Sequence, residues 1–309
     1  MVSIRPATPE DAEAISEIHR LEVVEWRQVR PDGSLVPSRY EDLTDRERLS
    51  YGGAWMVPSA LRAHLEALLA AGQWTFVAEE DGRLLGEIEV YVGPDPDMGR
   101  TAHIDMLEVR KDEQRKGVGR RLVEEVRQRA VAQGCESLTV TPERTAVEFY
   151  VKCDLREVVA REKDFELPLG ERLGAGQVES QLTHLTSFAP LEHRPLLLGR
   201  FQSSFATWLK GWKHLGDPTF LRHEEGWWPS EGTYYRLTQF MRREATAVLQ
   251  AWVPGPQHLR GVLDSASVRA KQLGYDRITT TVDTRFLGML EGLEGTVGDE
   301  SVLLGLKLR

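Results

Sequence analysis

The segment His103-Ile104-Asp105-Met106-Leu107-Glu108-Val109, continued by Gln114-Arg115-Lys116-Gly117-Val118-Gly119-Arg120, predicts a strand that runs through a loop into a helix starting at Gly117-Val118-Gly119. Such a junction favours anion binding. The first turn of a helix has unpaired N–H groups and partial positive charge, and glycine lets a phosphate approach the backbone. Arg115, Lys116, Arg120 and Arg121 concentrate positive charge there in a chain whose net charge is −9. Two familiar phosphate loops are excluded. No third glycine follows at dinucleotide-fingerprint spacing, and Gly117 is not followed by Gly-Lys-Ser/Thr.

Working outward, residues 117–133 read as one amphipathic helix. Val118, Leu122, Val126, Ala130 and Val131 supply its apolar positions, and Gly134 its C-cap. Upstream, residues 74–78 and 83–92 flank Glu80-Asp81-Gly82, an Asp-Gly hairpin signal. A short strand over 2–5 precedes Thr8-Pro9-Glu10-Asp11, which reads as a helix start with Thr8 as N-cap. A second helix is expected over 58–71, and 27–53 reads as polar and irregular. Downstream come strand 137–140, short helix 144–152 and strand 158–167.

Three motifs in this order resemble the GNAT superfamily of acyl-CoA N-acyltransferases. Gln114-x-x-Gly117-x-Gly119 is similar to its Gln/Arg-x-x-Gly-x-Gly/Ala loop, and Leu107-Glu108-Val109 to the end of its splayed strand. Ala146-Val147-Glu148-Phe149-Tyr150-Val151-Lys152 resembles its Ala-x-x-Phe-Tyr-x-Lys helix, and Thr8-Pro9-Glu10-Asp11 its first helix start. The resemblance covers about residues 2–168. It implies an α+β fold with a mixed, mostly antiparallel sheet flanked by helices, and acetyl-CoA as cosubstrate. Backbone groups of Leu107 and Val109 would hold the pantetheine arm and acyl carbonyl. Gln114, Arg115, Lys116, Gly117, Val118 and Gly119, with Arg120, would cradle the pyrophosphate. An amine on a small molecule or peptide would attack the thioester directly, and Glu22, Glu25, Trp26 and Trp55 would fall in the acceptor region.

In that resemblance Tyr150 matches the tyrosine that protonates the departing CoA sulfur. His103 and Asp105 fall where family members carry a proton-accepting histidine or carboxylate. Strand alternation puts His103, Asp105 and Leu107 on one face, and a histidine of near-neutral pKa suits the task. Glu89, on the neighbouring strand, is a further candidate base. Two positions depart from the family pattern: Glu143 replaces a common Asn, and Asp154-Leu155 a Gly-Phe.

Residues 169–177 hold three glycines without periodicity and read as a linker. It divides the chain into an expected domain at 1–168 and a second at 178–309, the latter a degenerate GNAT-like copy. Strands are expected there at 178–187, 234–241, 245–253, 278–282 and 301–308. Helices are expected at 191–215, with Pro195 as a candidate break, 258–273 and 285–294. Its counterpart of the glycine loop is Pro254-Gly255-Pro256-Gln257-His258-Leu259, where prolines remove backbone donors. Met289-Leu290 falls near the place of Phe149-Tyr150, and Trp208, Trp212, Trp227 and Trp228 read mainly as core.

The acidic balance argues against nucleic acid as partner, and no Cys/His cluster has zinc-ligand spacing. No run reaches the roughly 20 apolar residues of a membrane span. Two cysteines, Cys135 and Cys153, and no signal-type apolar run are expected of a cytoplasmic protein with free thiols. The whole predicts an N-acetyltransferase acting on a primary amine. The alternative is a non-catalytic acyl-CoA-binding sensor or assembly module. No oligomeric state follows from the sequence.

Overall fold

Strand β1 (Ser3–Pro6) leads into a 3-10 turn at Pro9–Asp11 and helix α1 (Ala12–Arg20). Thr8 and Asp11 form the capping box at this start, with the Thr8 N–H donating to Asp11 Oδ2 at 2.8 Å. The computed structural model describes residues 1–30, 33–170, 178–213, 220–240 and 245–308. Most of the expected linker, residues 171–177, lies outside the described residues. The chain forms two compact units. One comprises Met1–Val92 with Ile104–Gln133, the other Gly93–His103, Gly134–Trp212 and Phe220–Arg309.

In the first unit the 27–53 stretch is more regular than its polarity suggests. It forms a hairpin, β2 (Arg27–Val29) with β3 (Leu35–Pro37), and a one-turn helix, α2 (Asp45–Leu49), boxed by Thr44 and Glu47. Helix α3 (Pro58–Ala70) follows, with proline at its first turn. Strands β4 (Trp74–Glu80) and β5 (Arg83–Asp95) pair antiparallel across a turn in which Asp81 and Gly82 both have positive φ, 51° and 78°. That is the backbone an Asp-Gly hairpin selects. β1 pairs with β4, and β6 (Gly99–Val109) lies beside β5. Ile15 and Ile18 of α1, Leu61 and Leu65 of α3, Trp55, Val77 and Leu84 form one core, with Met106 of β6 packed against it. Helix α4 (Val118–Ala132) closes this unit.

The second unit holds β7 (Ser137–Val140), α5 (Val147–Lys152), β8 (Glu157–Pro168), β9 (Gln181–Leu182), β10 (Leu196–Leu198) and α6 (Ser204–Lys213). There follow β11 (Phe220–Trp228), β12 (Thr233–Phe240), β13 (Thr246–Trp252), α7 (Leu259–Gln272), β14 (Arg277–Asp283) and β15 (Thr296–Lys307). Its strands run in the order β7-β15-β8-β14-β10-β13-β12-β11-β9. The final strand β15 therefore lies between β7 and β8, pairing Leu304 with Val140 and Leu303 with Ala160. In turn β8 pairs with β14, Ile278 opposite Leu167. The compact units and the boundaries read from sequence, 1–168 and 178–309, divide the chain differently, because each half's closing strand pairs with strands of the other half.

Two expectations for this unit need correction. The long helix over 191–215 is absent: Leu196–Leu198 is a buried strand, and the helix begins only at Ser204. A short apolar run serves either element. Gly199, at φ 74° with the Leu249 carbonyl where a Cβ would stand, turns the chain between them. The strand-like stretch 178–187 narrows to Gln181–Leu182. Of the tryptophans, Trp208 and Trp228 are buried, and Trp228 stacks on Tyr235 with centroids 3.9 Å apart. The side chain of Trp212 lies outside the described residues. Among the described residues no helix is long and apolar enough to cross a membrane.

Candidate active site

β6 delivers the chain into the loop before α4. Gly117, the N-cap, has φ 92° and no side chain to cap the helix, and Arg115 also has positive φ, 62°. An added Cβ on Gly117 would meet nothing within 4 Å, so glycine is required there for its backbone conformation. Gln114 to Gly117 and Arg120 are exposed and Gly119 half-buried, while Val118 anchors the helix in the core. Among the described residues neither Arg115 nor Arg120 makes an ion pair, whereas Lys116 pairs with Glu113 at 3.1 Å. Gln114 folds back, its Nε2 donating to the Val109 carbonyl at 3.1 Å and to Glu22 Oε1 at 3.3 Å. Open N–H groups at a helix N-terminus beside two guanidinium groups without an ion pair are an arrangement able to bind an anion. A surface groove lined by Ile4, Gly117, Arg120, Arg121, Glu124, Glu125 and Gln128 adjoins it. Leu107 and Val109 are half-buried, and the Val109 N–H donates to Glu108 Oε1 at 3.2 Å.

The expected proton acceptors are placed differently from one another. His103 lies in the second unit, 1% exposed, with Nδ1 at 3.0 Å from Thr139 Oγ1. Burial, reinforced by the positive charges of Lys210 and Arg200, pushes its pKa down to about 3. The near-neutral imidazole expected from the sequence is not found: His103 is neutral at pH 7, because an imidazolium there would lose its hydration beside two cations. Asp105 is half-buried on β6 in the first unit. Glu89 is fully buried with both oxygens engaged, Oε2 by His64 Nε2 at 2.9 Å and Oε1 by the Tyr91 hydroxyl at 2.9 Å. Tyr150 lies in the second unit on α5, buried, its ring edge-on to Phe149 at 4.9 Å.

The first unit also contains a polar cluster that the sequence reading passed over. His19 of α1 bonds through Nε2 to Glu87 Oε1 of β5 at 2.6 Å. The rings of His19 and His64 flank Trp55, with centroids 5.9 and 5.0 Å from it. Glu108 is pushed above the ordinary carboxyl range by burial. His19 and the Val109 N–H oppose that shift, while Glu22 and Glu87 add to it. The signal was in the strand Leu84-Leu85-Gly86-Glu87-Ile88-Glu89-Val90-Tyr91-Val92. Two carboxylates on one face of so apolar a strand need buried partners, and His19 and His64 sit on the apolar faces of two helices.

Residues 40–155 match the model of the Acetyltransferase (GNAT) family. No curated protein matches the sequence. Among solved structures, a GCN5-related N-acetyltransferase from Anabaena variabilis is similar with TM-score 0.63 and 10% identity, over 99% of this chain and 72% of that one. A GCN5-related N-acetyltransferase from Kribbella flavida gives TM-score 0.60 at 11% identity, over 100% and 71%. A tandem GNAT protein from the clavulanic acid biosynthesis pathway gives TM-score 0.54 at 13% identity, over 99% and 98%. Residues 40–155 thus match the model of the GNAT acetyltransferase family, and the fold of the chain is similar to that of a tandem GNAT protein.

Proposed function

We propose that this chain is an N-acetyltransferase that passes an acetyl group from acetyl-CoA to a primary amine by direct attack in a ternary complex. The observation that carries the reading is the receptor at Gln114–Gly119. It combines positive φ at Arg115 and Gly117, exposed helix-start amides and unpaired Arg115 and Arg120. A pyrophosphate is the anion such a receptor suits, and burying it against fixed dipoles also orients the thioester. Leu107 and Val109 would align the pantetheine arm as an added strand, and Tyr150 would protonate the thiolate. The active copy would be 1–168, with 178–309 as the degenerate one. A cytoplasmic location fits the two free cysteines.

An amine panel read by release of free CoA thiol tests this. Turnover with at least one amine supports the reading. Acetyl-CoA binding without turnover across the panel overturns it in favour of a non-catalytic acyl-CoA-binding module.

A further inference from the structure

On the α1/α3 face of the first unit, Glu87 is 0% exposed, and only one of its carboxyl oxygens is engaged. Oε1 accepts from His19; Oε2 is buried and has no hydrogen-bond partner among the described residues. Three more buried polar atoms nearby share this condition. They are Trp55 Nε1, Ser16 Oγ one turn before His19 on α1, and Thr75 Oγ1 on β4, whose residue pairs with Glu89. Leaving a buried polar atom unmet is costly, and more so for a charged one. Three such atoms on neighbouring elements, together with the carboxylate's own Oε2, point to a polar group that binds there.

The position suits the acceptor amine. Glu108 feels the charges of both Glu87 and His19, and Glu108 is bonded to the Val109 N–H. Val109 is the residue beside which the acyl carbonyl would lie in the reading above. Met106 packs with α1 and α3, so alternation puts Glu108 on this face and Asp105 and His103 on the other.

Resting on the acetyltransferase reading, we propose that the Glu87 carboxylate receives the acceptor's ammonium at Oε2 and takes its proton, with His19 as positioning residue. The primary ammonium first loses one proton to Glu87, and its lone pair attacks the thioester carbonyl. The nitrogen becomes acidic as the C–N bond forms. The C–S bond then breaks, the thiolate accepts a proton from its general acid, assigned above to Tyr150, and the second N–H proton passes through solvent to restore that tyrosine. One proton is thus returned to CoA and one passes through Glu87 to solvent. His19, donating from Nε2 to Oε1, fixes the orientation of the carboxylate and leaves Oε2 for the amine. The charged or titratable groups facing Glu87 are His19 from α1 and Glu108 from β6, with Glu22, beyond the end of α1, acting on Glu108 and the His64–Glu89 pair beyond Trp55.

The test is single-turnover acetyl transfer with bound acetyl-CoA, alongside calorimetric acetyl-CoA affinity. Glu87→Gln should slow transfer at neutral pH by roughly 10²–10⁴-fold, as loss of a general base does, with acetyl-CoA affinity unchanged. The deficit should shrink as pH approaches the amine's own pKa, since the substrate then arrives deprotonated; a packing defect would not respond in this way. Glu87→Asp should restore part of the rate. His19→Ala should lower the single-turnover rate with acetyl-CoA affinity unchanged, and His19→Gln, whose amide keeps a donor there, should restore part of the rate. If Glu87→Gln fails to bind acetyl-CoA, Glu87→Asp with the same pH series decides. Unimpaired single turnover in Glu87→Gln, or a rate deficit that shrinks with rising pH only in Asp105→Asn or His103→Gln, overturns the assignment while leaving the acetyltransferase reading intact. A native chain that binds acetyl-CoA and acetylates no amine overturns both.

Discussion

Two helices start after a strand and a short loop, and their first turns present opposite surroundings to an anion. At α4, Gly117 turns into the helix with φ 92°, and the surrounding amides and two guanidinium groups face solvent. At α7, a 3-10 turn over Pro256–His258 precedes the helix, and Gly255 is extended at φ −179°. The Glu231 carboxylate is so close to Gly261, in the first turn, that an added Cβ would lie 2.7 Å from Oε2. An acid at a helix N-terminus satisfies the same partial charge a phosphate would, and it repels the phosphate. The contrast continues at the helices that follow. α5 carries Tyr150 buried, while the 3-10 segment Thr284–Leu290 carries Met289 exposed and Leu290 buried, neither able to donate a proton.

The contrast can be attacked from its strongest side first. Tyr150→Phe should lower kcat by roughly 10²–10⁴-fold while acetyl-CoA affinity stays put, since only an interaction of the transition state is removed. Pre-steady-state bursts establish that chemistry limits turnover. Unchanged single-turnover chemistry would place the acid elsewhere. Next, titration calorimetry should find one acetyl-CoA per chain, and Gly117→Glu should cost roughly 100-fold or more in affinity, about 2.7 kcal/mol. A side chain at positive φ is strained and the new carboxylate stands where phosphate would. Two equivalent sites would erase the distinction between α4 and α7. Glu231→Gln sharpens the same point with a small effect. Removing that charge should leave the stoichiometry at one, because Pro254 and Pro256 still lack donors.

A fourth prediction concerns the pairing of β8 with β14. Glu162 stands opposite Asp283, and burial, then the Asp283 charge, push its carboxyl up to about 8. The native state binds this proton more tightly than the unfolded chain does. Stability is therefore full below the ordinary carboxyl range and declines as pH rises toward 8. Glu162→Gln should flatten that decline in thermal melts and raise the melting temperature above pH 8. An unaltered pH dependence would remove Glu162 from the account.

The α4 start was legible because its determinants are local. Glycine at Gly117 and Gly119, cations beside them and an amphipathic helix behind lie within one stretch of chain. The Asp81-Gly82 hairpin was legible for the same reason. His103 misled because strand alternation tells which face a residue occupies but not how deeply that face is buried. Only packing buried it, and brought Lys210 and Arg200 near, so that it stays neutral. Glu87 and His19 were passed over because 68 positions separate them, and nothing at either position names the other.

What the sequence by itself determined is therefore the set of interactions a short segment completes alone: helix stripes, caps, the tight turn and the phosphate-facing loop. Tertiary structure alone decided which strand β15 joins, which carboxylate keeps an unmet oxygen and which histidine stays neutral. Strand pairing is read through backbone hydrogen bonds common to all sequences, and a buried group's charge depends on everything packed around it. Both are properties of neighbours in space, and those neighbours come from distant parts of the chain.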